Sequence, residues 1–189
     1  MRKILLPLVL LILLACGSWA FHTYAPPQYN PVRPLDLDDP IGPTTYGKLT
    51  HVKKNSEACF EALTNAGIGY TRIEDSESDK SCGFYDALDL LQTTTPYSVS
   101  LKLTCAETAA LYIWEKRAAR PLAEEMLGSP IIRIETYGSY SCRNINGTSR
   151  KSEHALANAI DISGFKLRDG RVINIAEHWG DDTQEGKFL

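Results

Sequence analysis

The chain has 189 residues, 43% of them apolar, which leaves one core domain once an export segment is subtracted. Its formal net charge of −3 is too small to steer association. The basic residues are scattered and never form a stripe, which excludes a nucleic-acid-binding protein.

Met1-Arg2-Lys3 is a short basic run, and residues 4–15 are almost wholly apolar, the pattern of an export signal. Three fates are open for residues 1–23. Ser18-Trp19-Ala20 offers a small-x-small cleavage site, and Leu13-Leu14-Ala15-Cys16 a lipobox with Cys16 as the lipidated residue. Uncut, the run through Phe21 is a signal anchor near the lower limit of about 17 residues for a membrane helix. Each fate puts the rest of the chain in the cell envelope, on an oxidising periplasmic face, anchored in the membrane by its N-terminal segment or exported.

Residues 24–45 hold Pro26, Pro27, Pro31, Pro34, Pro40 and Pro43. Proline denies the backbone both helix and central strand, so this stretch reads as an extended linker that spaces the domain from a membrane. The folded domain is expected over residues 46–189.

In chain order, Asn55 or Ser56 caps a helix carrying Cys59, Phe60 and Leu63, ended by Gly67. Residues 68–81 are polar and loop-like. Val99, Leu101 and Leu103 alternate as a strand does. Thr104-Cys105-Ala106-Glu107 is a capping box opening a helix through Trp114. A second helix is expected over residues 121–127, with Gly128 after it. Residues 131–136 are the strongest strand signal. Asp169-Gly170 sits between two apolar runs as a hairpin turn. Helices first and hairpin-joined strands later give an α+β fold, with N-terminal helices packed on a small, mainly antiparallel sheet.

Outside the export segment lie Cys59, Cys82, Cys105 and Cys142. Four cysteines in an exported domain point to two disulfides, for which three connectivities exist. A zinc cluster and a redox protein both need CxxC-type spacing, which is absent. The local pair Cys59–Cys82 is the favoured pairing.

His154 and Asp161 stand seven residues apart, too far to share one helical turn. They meet if a short turn after His154 leads into a strand bearing Asp161, and the small residues Ala155, Ala157 and Ala159 permit that approach. Imidazole nitrogen and carboxylate oxygen suit Zn²⁺, but a catalytic zinc needs three protein ligands. The pair taken alone reads as a turn-capping histidine beside a strand-ending aspartate.

Their surroundings add to this. Ser152-x-His154-x6-Asp161, with Ala159 before the aspartate and Ile162 after it, resembles the first metal motif of the LAS metallopeptidases, which include the D-alanyl-D-alanine carboxypeptidases. The stretches Gly138-Ser139-Tyr140-Ser141-Cys142-Arg143, Ser152 to Ala155 and Asn158 to Ile162 more closely resemble the bacterial extensin-like C-terminal domain. Gly164-Phe165, Leu167, Asp169-Gly170 and Trp179 continue the likeness, which runs from about Asn30 onward.

The resemblance implies a LAS-type fold and a zinc ion held by His154 and Asp161. It implies an oxyanion-steadying role for Arg143 and an orienting one for Ser152, while Glu153 faces solvent. The implied function is a cell-envelope zinc peptidase or amidase acting on peptidoglycan peptides. The resemblance also calls for a His-x-His-like segment supplying the third ligand and the general base. The sequence reaches Leu189 without it, so the site reads as incomplete. His178 has the wrong spacing to substitute. The alternative reading is a non-catalytic, membrane-tethered binding or structural domain of the envelope.

Overall fold

The computed structural model describes residues 2–77 and 82–189, with side chains from Pro7 onward except that of Glu77. Helix α1 (Arg2–Tyr24) is apolar, and its span Pro7–Tyr24 is long and apolar enough to cross a membrane. After it the proline-rich stretch is irregular apart from a 3-10 turn, Pro27–Tyr29, and it does not stand off as a spacer. Leu35 and Leu37 are buried in the main core, and Asn30 is buried beside the end of α1. Prolines forbid helix and ladder hydrogen bonds; they do not stop the side chains between them from packing. Asp38 then accepts from Tyr112 (2.7 Å) and Lys116 (2.5 Å), and Arg117 donates to its carbonyl.

Helices α2 (Thr45–Val52) and α3 (Ser56–Asn65) follow. Asn55 caps α3, accepting from Ala58 N at 3.2 Å. Gly67, at φ +70°, turns the chain beyond it, as the sequence predicts. The stretch expected to be loop holds two short strands, β1 (Tyr70–Arg72) and β2 (Ser76–Glu77), and its residues 78–81 lie outside the described ones. Then come β3 (Gly83–Phe84), β4 (Ala87–Gln92) and β5 (Pro96–Thr104).

Helix α4 (Cys105–Trp114) begins at the expected cap, Glu107 N donating to Thr104 Oγ1 at 3.2 Å. A wide π turn, Glu115–Ala119, joins it without a break to α5 (Arg120–Leu127). Pro121 has no N–H to give and its ring crowds the carbonyl four residues back, so a widened turn here relieves the clash. Glu115, at the start of that turn, is fully buried. Its carboxylate accepts hydroxyls from Thr94 (2.8 Å), Thr93 and Tyr97, tying the β4–β5 hairpin to the helix. Burial and the adjacent carboxylate push the Tyr97 phenol well above its usual range.

Strands β6 (Ile131–Gly138), β7 (Asp161–Leu167) and β8 (Val172–Asn174) complete the sheet, followed by α6 (Ile175–His178) and α7 (Gln184–Phe188). The sheet order is β1-β4-β5-β6-β7-β8, antiparallel throughout except between β5 and β6. The fold is α+β. Leu63, Leu88, Leu101, Leu103, Ile134, Leu167 and Ile173 fill the core between sheet and helices, each burial worth roughly 1.5–3 kcal/mol.

The disulfides are Cys59–Cys105 and Cys82–Cys142, not the local pair Cys59–Cys82. The β4–β5 hairpin returns the chain so that α4 starts beside α3, which brings Cys105 to Cys59. Proximity in sequence is overruled by the sheet.

Candidate metal centre

The site is built where β5 and β6 part. Their backbone pairing is confined to Tyr97 opposite Ile134, and serine hydroxyls bridge the rest. Ser98 Oγ accepts from Thr136 N at 2.9 Å, and Ser139 Oγ both accepts from Lys102 N and donates to Lys102 O, each at 2.9 Å. Ser139 is thereby fixed, with its own carbonyl left to face the loop above.

That carbonyl takes the Nδ1–H of His154 at 2.5 Å. His154 lies in a single 3-10 turn, Glu153–Leu156, capped by Ser152, whose Oγ accepts from His154 N at 3.4 Å. Ala155 and Ala157 are fully buried, and Ala157 takes the left-handed conformation at φ +55° that turns the chain toward β7. Asp161 opens β7 opposite Gly138. The turn-then-strand path expected from the spacing is the one observed.

The side chains meet: His154 Nε2 is 3.3 Å from Asp161 Oδ1. With Nδ1–H committed to Ser139, Nε2 turns its lone pair to a carboxylate oxygen, so two acceptors face one another. A proton or a cation has to lie between them. Zn–N and Zn–O bonds of about 2.0–2.2 Å at the tetrahedral angle separate two donors by about 3.4 Å, so the pair fits an edge of a zinc tetrahedron. The imidazole is 12% exposed and the carboxylate 54%. The nitrogen is thus largely covered and the oxygen open to solvent.

Arg143 belongs to the same construction. Its carbonyl accepts from Ser152 N at 3.1 Å, and Asn144 bridges to Lys151, so residues 143–152 form a small antiparallel finger. Ser141 N donates to His154 O at 3.0 Å. Arg143, Ser152 and His154 are thus joined through backbone, with the Arg143 side chain exposed. Glu153 is exposed and accepts from Asn158 Nδ2 at 2.9 Å. Behind the turn, a cavity of about 400 Å³ opens between Phe84, Thr104, Leu156 and the Cys59–Cys105 bridge. Near it, burial raises the Glu107 carboxyl above its ordinary range, with Lys53 opposing and Glu153 adding to the shift.

Lys102 stands outside every motif described above. Its ammonium sits 4.9 Å from the Phe84 ring centre and 5.8 Å from that of Tyr140, and the two rings meet edge to face at 5.3 Å. Cys82–Cys142 closes the same corner. The signal for it is the polar side of β5: Ser98, Ser100 and Lys102 alternate with Leu101 and Leu103.

His178 Nδ1 is engaged by the backbone of Asn174 at 2.8 Å. Among the described residues no three His, Cys, Asp or Glu side chains come together as a metal-holding group. His154 and Asp161 offer two donors.

A family model described as extensin-like protein C-terminus matches residues 57–189. Neither a curated protein nor a solved structure matches the chain.

Proposed function

The chain belongs to the extensin-like C-terminal family, and from that premise we propose a cell-envelope, peptidase-like domain of LAS type that binds zinc and acts on peptidoglycan peptides. The observation that carries the reading is the 3.3 Å approach of His154 Nε2 to Asp161 Oδ1 with Nδ1 already committed elsewhere. His154 and Asp161 would hold the ion. Zinc so placed supplies Lewis acidity toward a peptide carbonyl and toward water.

The chain's own residues do the rest. Ser139 fixes the histidine tautomer, and Ser152 holds the turn that presents the ring. The exposed guanidinium of Arg143 steadies negative charge on the carbonyl oxygen of a bound amide. Helix α1 is read as a membrane anchor, and two disulfides suit an oxidising compartment.

A second reading is favoured by the donor count. Two ligands without a third among the described residues fit a non-catalytic envelope domain that binds its partner without cleaving it. Metal analysis of the purified full chain, beside hydrolysis of cross-linked muropeptides, separates the two. About one equivalent of zinc, lost in His154→Ala, together with peptide cleavage, supports the peptidase. Zinc without cleavage supports the binding domain. A fully folded chain that takes up no zinc sinks the metal reading.

A further inference from the structure

We propose that the proline-rich strap seats the domain directly on a lipid bilayer, with Tyr24, Tyr29, Val32, Ile41 and Tyr46 in the headgroup layer. The inference rests on the reading of α1 as an uncut membrane anchor and adds an interaction surface to it.

The span Pro7–Tyr24 has 18 residues, which at about 1.5 Å per residue is roughly 27 Å, close to the ~30 Å of a hydrocarbon core. Trp19, Phe21 and Tyr24 crowd the last turns of α1 and are exposed, with Trp19 and Tyr24 edge to face at 6.1 Å. Aromatic side chains of this kind collect at the membrane–water boundary. The end of α1 is therefore the headgroup level.

The chain does not leave that level when the helix ends. Asn30, 1% exposed, sends its Nδ2–H back to the carbonyl of His22, inside α1, at 3.2 Å, and its Oδ1 accepts from Val32 N at 3.1 Å. Gln28 O accepts from Thr44 N (3.3 Å) and Thr44 Oγ1 (3.0 Å), while Lys48 Nζ donates to Pro27 O at 3.0 Å. Gly42 lies so close to this segment that a Cβ there would stand 2.5 Å from Gln28 Cβ. Residues 27–32 and 41–48 are consequently buckled to one another and to the helix end. Tyr29, Val32, Ile41 and Tyr46 belong to these segments and Tyr24 ends the helix, and each is more than half exposed. Exposed, mainly apolar side chains are thus tied to the end of an exposed apolar helix, which makes lipid the occupant that fits.

Leu35 and Leu37 in the core, and Asp38 on Tyr112 and Lys116, fix the strap to the domain. The domain therefore follows the strap onto the bilayer. A free proline-rich spacer of about 20 residues would instead reach about 60 Å from it. His154 and Asp161 would serve substrate close to the membrane surface.

The test is spin-label accessibility in the full chain, reconstituted in phosphatidylethanolamine–phosphatidylglycerol vesicles. Labels are placed one at a time at V32C and I41C in a C16S background, with L11C marking the bilayer and V172C marking water. Collision with a water-soluble nickel chelate is expected to be several-fold lower at positions 32 and 41 than at 172, with position 11 deeper still. Positions 32 and 41 as chelate-accessible as 172, with 11 in lipid, would overturn the docking and leave the anchor standing. Position 11 open to the chelate would overturn the anchor reading and the docking with it. Protection at 32 and 41 that vanishes on dilution into excess lipid, with spin–spin broadening beforehand, would assign the surface to a second copy and overturn the proposal.

Discussion

The two sides of the sheet are held by different chemistry. Consecutive residues show it: Leu88 packs in the large core with the helices and the strap, while Ala87 belongs to a small cluster with Phe84 and Ala157. The large core gains its stability from apolar burial and the Cys59–Cys105 bridge. The small cluster buries little. Its order comes from Cys82–Cys142, the Lys102–aromatic contacts, serine hydroxyls between strands and backbone hydrogen bonds around His154. The site stands on the thinly packed side, where directional bonds rather than area fix atomic positions. Changes on the helical side should therefore move stability, and changes on the small-cluster side should move metal binding.

The largest effects are expected from the disulfides, which separate the two sides most sharply. Cys59→Ala with Cys105→Ala opens a loop spanned by 46 positions and should cost about 2–5 kcal/mol in denaturant unfolding. Zinc affinity of the chain that remains folded should stay unchanged. Cys82→Ala with Cys142→Ala frees the corner beside the finger at 143–152, and should weaken zinc binding by about 10–100-fold, as loss of ligand support does. Equal zinc affinities in the two variants would erase the distinction.

Next in size is Leu37→Ala. Leu37 is 1% exposed, so truncation should destabilise the whole domain by about 2–5 kcal/mol, as for other core leucines. A strap that merely rests on the surface would lose under about 0.5 kcal/mol, as surface substitutions do, and calorimetric or denaturant unfolding distinguishes the two.

The smallest effect is in acid. Hydrogen bonds from Lys116 first, and from Tyr112, hold the Asp38 carboxyl below its ordinary value of 3.8. A lowered folded-state pKa means the stability is fully present above the unfolded value and is lost as pH falls through the folded one. Strap amide protection factors should thus hold at pH 5 and above, and fall below about pH 4. Asp38→Asn should flatten that dependence.

Much of this was legible because the chemistry is local. Asn55 and Gly67 bracket α3, Thr104 and Glu107 open α4, and Asp169-Gly170 turns β7 into β8, each through neighbours in sequence. The turn from His154 to Asp161 is equally local. What stayed hidden depends on the sheet. Strand β4 has no alternating pattern to read, since Ala87, Leu88 and Leu90 are buried on both of its sides. The disulfide pairing follows from where that strand returns. Leu35 and Leu37 are masked by the prolines around them. Lys102 carries no motif, and its place emerges only when Phe84 and Tyr140 arrive from distant segments.

The most direct test of the centre is nitrogen NMR of the His154 ring in the full chain, with and without one equivalent of zinc. Nδ1 should be protonated throughout, bonded to Ser139, with Nε2 shifting to a metal-ligand resonance on zinc addition and Asp161→Asn weakening that shift. A ring unprotonated at Nδ1, or an Nε2 resonance that zinc leaves in place, would contradict this.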